Sequence, residues 1–247
     1  MNEIFYEVFD TMPRLGPGSA EATKKAFKAT GLGSKRIEIL DIGCGTGAQT
    51  LVLAKMINGK IIATDNYQPF LDTLADQAST ENLSDKIICK NMDMAKLEFE
   101  ENQFDLIWAE GSIYHIGFAN GLRKIKSFLK PNGYAAFSDL NWFKRNHPKE
   151  LAAFFANECP DMVSVEENIK LIADNGYKLI DFFRLDESVF WEPYYTPLEK
   201  RLSTMRKKYA DNEEALAMFA ELQLEIDLYR KYSDYYGYAF YIMKNIS

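Results

Sequence analysis

Short apolar runs alternate with amphipathic stretches between residues 35 and 140. Runs rich in Ile, Leu and aromatic residues at 36–41, 60–65, 86–89, 104–108 and 133–138 each predict a buried strand. The segments between them carry helix punctuation. Thr46-x-x-Gln49 has capping-box spacing, and Asn58-Gly59 supplies a left-handed stop. Leu122, Ile125 and Leu129 recur at helical spacing before Lys130-Pro131-Asn132-Gly133 interrupts them. Strands alternating with helices in this way predict a Rossmann-like α/β fold with a doubly wound, mostly parallel sheet.

The rhythm changes in the second half. Ser164-x-x-Glu167 opens a helix that closes at Asn175-Gly176, and a strand follows near 179–185. Thr196-Pro197-Leu198-Glu199 is a further capping box, with Pro at the first helical position, and introduces helical sequence to about residue 231. An aromatic strand at 236–242 comes last. The helical stretch is long for a hairpin link and is expected to be an inserted cap. The expected division is an N-terminal helix and lid (1–34), a core (35–185), a helical cap insertion (186–235) and a final core strand (236–247).

Composition narrows the function classes. With 247 residues, 47% hydrophobic and 26% charged, the chain can bury a large core. It contains no apolar run long enough to span a bilayer, and its acidic N-terminus lacks the order of a signal peptide. Cys44, Cys89 and Cys159 are far apart and the only histidines are His115 and His147, so no metal site or disulfide framework is expected. A reducing, cytoplasmic compartment follows. The formal charge is −7, and the densest basic run, 200–208, soon turns acidic. Nucleic acid and membrane are therefore disfavoured as partners, and a small molecule is favoured.

The chemistry is concentrated at Asp41-Ile42-Gly43-Cys44-Gly45-Thr46-Gly47, between the first strand and its helix. Glycines there permit a tight turn and close approach of a ligand to the backbone. Gly43-x-Gly45-x-x-Ala48 also satisfies the dinucleotide fingerprint, so glycines alone do not choose a cofactor. Charge does. Asp41 at the strand end, Asp65 after the second strand, Asp93 beyond the third and Glu110 beyond the fourth would ring the crevice with carboxylates. Such a ring opposes a pyrophosphate and suits the amino group and sulfonium of S-adenosylmethionine (SAM). The catalytic Tyr-x-x-x-Lys of short-chain dehydrogenases is absent. Asp65, about 20 residues past the glycines, can accept both ribose hydroxyls. Asp93 either meets the adenine amino group, with Met92 and Met94 flanking the ring, or caps the turn that starts at Met94.

These motifs, with the run from Phe104 to Gly133, resemble the class I SAM-dependent methyltransferases over roughly residues 35–140. The last two strands fit that family's antiparallel end. Residues 14–19 and 108–118 are similar to a group of largely uncharacterised microbial members. The resemblance implies a seven-stranded sheet, methyl transfer from SAM with S-adenosylhomocysteine as product, and cofactor contacts at Asp41, Gly43, Gly45, Asp65, Asp93 and Glu110. Cys44 and Asn66 lie in the same turns. In-line methyl transfer requires alignment and exclusion of water, and a base only if the acceptor must lose a proton. His115, just past the fourth strand, is the candidate base beside its structural reading, and Tyr114 is a candidate to orient the acceptor. Arg14, in an aromatic N-terminal lead, could meet the methionine carboxylate or an anionic substrate. Trp142, Trp191, Tyr194 and Tyr195 are expected to line an aromatic pocket for the acceptor.

Overall fold

The computed structural model describes residues 3–33 and 35–246. The boundary drawn at residue 34 and the ends at 1, 2 and 247 lie outside the described residues. Seven strands form one sheet: β1 (Glu38–Ile42), β2 (Lys60–Asp65), β3 (Ile87–Asn91), β4 (Phe104–Glu110), β5 (Leu129–Trp142), β6 (Tyr177–Arg184) and β7 (Tyr236–Asn245). Their order is β3-β2-β1-β4-β5-β7-β6. The neighbours from β3 through β5 are parallel, and β7 runs antiparallel to β5 and β6.

Successive side chains of a strand point to opposite faces, and burial follows that period. Ile39, Leu106 and Trp108 enter one apolar cluster, while Leu40, Ile107 and Ala109 enter the other. The first face is covered by α2 (Ala20–Ala29), α3 (Ala48–Met56) and α4 (Gln68–Thr80), through residues such as Phe27, Leu53 and Leu71. The second is covered by α5 (Phe118–Ile125) and α7 (Val165–Asp174), through Leu122 and Ile172. Because β2 and β4 pair on opposite sides of β1, the chain reverses its winding there. A crevice opens at the carboxyl ends of β1 and β4, where such sheets take their ligands.

Helices also gather above this crevice. An N-terminal helix, α1 (Glu3–Phe9), and α6 (Lys149–Glu158), between β5 and α7, contribute to the first cluster through Val8 and Phe155. Between β6 and β7 come α8 (Ser188–Phe190), a π-helical turn (Trp191–Tyr195), α9 (Thr196–Lys208) and α10 (Glu213–Tyr232). Arg201 donates to the Glu7 carbonyl at 2.6 Å, and the Tyr209 hydroxyl to the Glu7 carboxylate at 2.6 Å, so α1 is tied to this helical group.

The Ser164 capping box forms as its spacing predicts, with Ser164 N donating to Glu167 at 2.8 Å and Gly176 left-handed after the helix. Three other signals resolve differently. Gly47, at φ 85°, is the N-cap of α3, so Thr46 lies outside the helix and Gln49 is free to bond elsewhere. Helix α3 ends on an extended Ile57, and Gly59 is not left-handed. A Cβ on Gly59 would lie 1.8 Å from the Ile37 carbonyl oxygen, so close approach of two backbones requires the glycine there. Thr196 is helical (φ −63°, ψ −47°) and caps nothing, because the preceding π turn continues into α9. The widened ladder of that turn accommodates Pro197, which has no N–H to give. Glu199 instead accepts from Arg230 at 2.8 Å and Gln223 at 3.0 Å.

Candidate active site

The glycine turn is knitted to the strand ends around it. Cys44 N donates to the Thr64 carbonyl at 2.9 Å, and the Ser112 hydroxyl to the Ile42 carbonyl at 2.7 Å. Gly45 N donates to Asp65 Oδ2 at 2.9 Å, and Tyr67 N to Asp65 Oδ1 at 3.0 Å. Each Asp65 oxygen therefore keeps acceptor capacity on the side that faces the crevice. Burial pushes its carboxyl up, against these two amides, which pull it down. Gly43, Cys44, Gly45, Asp65 and Asn66 all line the same cavity. A Cβ on Gly43 would sit 2.5 Å from Ser112 Cβ, so the turn cannot admit a side chain without moving β4's end.

The other three acids are placed differently from one another. Asp41 is completely buried beneath the turn and does not line the cavity, contrary to the expectation that its carboxylate faces the crevice. It accepts from the Thr50 hydroxyl at 2.6 Å and from Gln49, because the first turn of α3 lies directly over it. Burial raises its carboxyl to about 7, against those hydrogen bonds, with Glu110 and Asp65 adding to the rise. Asp93 is exposed and caps the turn at Met94, accepting from Ala95 N at 2.8 Å. It is absent from the cavity wall, which Met92 and Met94 do join. Glu110 does line the cavity, but not as a free charge. Arg14 Nη2 lies 2.6 Å from its Oε1, and the Thr23 hydroxyl (3.0 Å) and Trp108 Nε1 (3.2 Å) donate to its Oε2.

Arg14 thereby fixes the N-terminal segment across the cavity mouth. Its Nε is buried without a hydrogen-bond partner. Leu15 and Gly16 line the cavity beside it, and Gly18 N reaches the Val189 carbonyl at 3.3 Å. Further out, Tyr6 stacks on Tyr67 with ring centroids 3.6 Å apart, and Phe70 meets both rings edge-on.

The cavity, about 860 Å³, runs from the glycine turn to a chamber beneath the helices. Tyr194 and Tyr195 line the cavity. Trp142 and Trp191 do not. Trp142 stacks on His147 at 3.7 Å and packs against Phe155 and Tyr236, so it supports the wall from behind. Trp191 turns outward, its Nε1 donating to Glu187 at 3.3 Å, with Arg230 over its ring. Sequence reasoning missed Glu158, Asp161, Glu225, Tyr236, Tyr238 and Phe155, all on the wall. They come from α6 and its following loop, α10 and β7, and no local spacing joins those segments.

Tyr114 and His115 lie where the two parts of the cavity meet, with rings 4.1 Å apart. The His115 side chain opens toward solvent in the cavity mouth. Partial burial lowers its proton affinity, against the pull of Asp65. Burial pushes the Tyr114 hydroxyl far up, so it is a donor and never a base near neutrality. Among the described residues no group of three or more His, Cys, Asp or Glu could hold a metal ion. No helix among them is long and apolar enough to cross a membrane.

Comparisons agree with this geometry. The family described as "Methyltransferase domain" matches residues 39–133, from β1 to the start of β5's paired segment. A sterol 24-C-methyltransferase of Neurospora crassa is 25% identical over 208 residues, covering 78% of this chain and 54% of its own length. The chain thus spans about half the length of that relative. A phosphoethanolamine N-methyltransferase of Plasmodium falciparum is 26% identical over 211 residues, covering 84% of this chain and 75% of its own. A SAM-dependent methyltransferase from Geobacter sulfurreducens, solved with S-adenosyl-L-homocysteine, superimposes with a TM-score of 0.84 at 18% identity, covering 98% of both chains. That last likeness is one of fold. With the seven-stranded order and the glycine turn, the matched segment, residues 39–133, is similar to a methyltransferase domain, and the chain as a whole shares the fold of SAM-dependent methyltransferases.

Proposed function

We propose that the protein is a cytoplasmic enzyme that transfers a methyl group from SAM to a small molecule. The observation that carries this reading is the continuity of the cavity. A glycine turn with a ribose-competent acid opens, past Tyr114 and His115, into an aromatic chamber of its own. The residues fit the cofactor. Asp65 retains acceptor capacity for two ribose hydroxyls, Met92 and Met94 offer apolar flanks for adenine, and Gly43 and Gly45 give the methionine portion a path beside bare backbone. Arg14 lines the cavity, and its guanidinium, with N–H groups beyond the Nη2 bond to Glu110, suits a carboxylate. Cys44 and Asn66 complete the wall on either side of Asp65. Asp41 acts from beneath, by holding the turn. Asp93, facing away, acts only through the loop that carries Met92 and Met94.

SAM supplies a methyl group on a sulfonium that departs as a neutral thioether. The chain's part is to align an acceptor with that carbon and exclude water. Residues 3–19 form the lid, latched by Arg14 on Glu110, and the helices between β6 and β7 form the cap over the acceptor. Tyr114 orients the acceptor where the two parts of the cavity join. His115 holds that junction through its contact with Tyr114. The formal charge of −7 argues for a free metabolite over nucleic acid.

Incubation with methyl-labelled SAM and a metabolite extract tests the activity. Label is expected in a small-molecule product, with S-adenosylhomocysteine released in equal amount. Binding of S-adenosylhomocysteine without label transfer to any fraction would make the protein a cofactor-binding module instead.

A further inference from the structure

The acceptor chamber is lined by tyrosines and carboxylates and has no cation of its own. Tyr114, Tyr194, Tyr195, Tyr236 and Tyr238 form its aromatic wall; Glu225 is half-buried on the same lining, and Glu158 and Asp161 line it as exposed residues. No lysine lines the cavity, and its one arginine, Arg14, is paired with Glu110 at the other end. Among the described residues, none of the three chamber carboxylates forms an ion pair. The cations of α10 are engaged elsewhere, Arg230 with Glu199 and Asp227, Lys231 with Glu150. Glu225 accepts one hydrogen bond, from the Tyr195 hydroxyl at 2.8 Å. The Tyr236 hydroxyl is buried and has no partner at all.

A buried carboxylate without a counter-charge is costly, and so is a buried hydroxyl without a bond. Burial, reinforced by the charge of Glu158, pushes the Glu225 carboxyl up, against the hydrogen bond from Tyr195. Glu158 and Asp161 are exposed and keep water, so the uncompensated charge is that of Glu225, and a ligand that brings a positive charge between the tyrosine faces and Glu225 relieves it. Cations bind aromatic faces through the ring quadrupole, most strongly where water is excluded. An anionic acceptor would meet three like charges. A neutral apolar acceptor would leave Glu225 uncompensated.

We infer that the methyl acceptor is an amine, bound as a cation between the chamber tyrosines and Glu225, so that the enzyme is an N-methyltransferase. This inference rests on the methyltransferase reading and adds to it the acceptor class. The step balances. The ammonium proton passes to a chamber carboxylate, and the freed nitrogen lone pair forms the new N–C bond. The C–S bond breaks with its electron pair going to sulfur, and the product nitrogen carries the positive charge that the sulfonium loses. That product is a more highly substituted ammonium, which the same aromatic wall accommodates.

Two isosteric probes test the charge without requiring turnover. Calorimetric titration of the protein saturated with S-adenosylhomocysteine compares (4-hydroxybenzyl)trimethylammonium with 4-neopentylphenol, which carries carbon in place of the charged nitrogen. The ammonium is expected to bind at least about tenfold more tightly. Glu225→Gln should abolish most of that ratio while leaving the affinity for 4-neopentylphenol and for S-adenosylhomocysteine unchanged. Glu158→Gln should lower the ratio less, and retained S-adenosylhomocysteine binding shows that each variant is folded. Equal affinity for the two probes, or binding of neither, with S-adenosylhomocysteine bound normally, overturns the amine assignment and leaves methyl transfer standing. Equal affinity is also what an alkene acceptor, uncharged before reaction, would give. Failure of S-adenosylhomocysteine to bind the wild-type protein removes the underlying reading, and the assignment falls with it.

Discussion

Arg14 and Glu110, 96 residues apart in sequence, meet at 2.6 Å with side chains only 12% and 1% exposed. The two side chains join the N-terminal segment to the carboxyl end of β4 by a buried charge pair. Removing one partner of such a pair leaves the other charge uncompensated. Arg14→Met should therefore cost about 2–3 kcal/mol in urea unfolding, near the lower end for buried pairs because Thr23 and Trp108 still donate to Glu110. Amide exchange at residues 3–13 should accelerate in the same variant. The double variant Arg14→Met with Glu110→Gln should recover part of the loss. A cost below about 0.5 kcal/mol, the level of a surface substitution, would mean that the pair does not hold the N-terminal segment in place.

Asp65 is the acid whose free acceptor capacity faces the crevice. Asp65→Ala should weaken S-adenosylhomocysteine binding by on the order of 1–3 kcal/mol, the range for losing charge-assisted hydrogen bonds. Asp65→Asn, which keeps one acceptor oxygen, should lose less. Unchanged affinity in both variants would remove Asp65 from the ribose site.

His115 rests against Tyr114, with rings 4.1 Å apart, and that contact is the basis of the positioning role proposed for it. His115→Gln should leave S-adenosylhomocysteine affinity unchanged and alter the transfer rate by less than about threefold. Loss of a general base lowers rates by about 10²–10⁴. A fall of that size, with a lost pH limb in the rate, would assign the base to His115 after all.

Asp139 is buried away from the cavity, accepts from Asn168 at 2.9 Å, and is raised to about 7 by burial. Its folded value lies above the unfolded one, so the folded chain binds the extra proton between about pH 4 and 7. Stability from this group is fully present below that window and is lost as pH rises through it. Asp41 carries the same sign, raised to about 7. Asp139→Asn should flatten part of the decline of Tm with pH across this range, and Asp41→Asn another part. An unchanged slope in both would mean that the two acids ionise freely in the folded chain.

The sheet was legible because each strand is a short apolar run bounded by turn residues, and burial enforces that pattern. Boundaries moved where pairing, not composition, sets them. β4 runs on to Glu110 and β5 to Trp142 because their partners continue. Thr46, Asn58 and Thr196 carry sound local signals, but tertiary contacts overrode each one: Leu74 packed against Gly47, the Ile37 carbonyl beneath Gly59, and a π turn ahead of Thr196. The cofactor half of the cavity was readable from one turn and the strand ends that follow it. The other half of the cavity was not, since Glu158, Glu225 and Tyr236 converge only after α6, α10 and β7 have packed. Charge at the strand ends suggested the cofactor, yet only Asp65 presents that charge openly. Asp41 is enclosed, Asp93 turns outward, and Glu110 is paired.

Titration of the purified protein with S-adenosylhomocysteine and, separately, with NAD measures directly what the glycine turn is built to hold. One-to-one binding of S-adenosylhomocysteine, weakened by Asp65→Ala, and no saturable binding of NAD are the predicted result. Tight binding of NAD with no response to S-adenosylhomocysteine would contradict it.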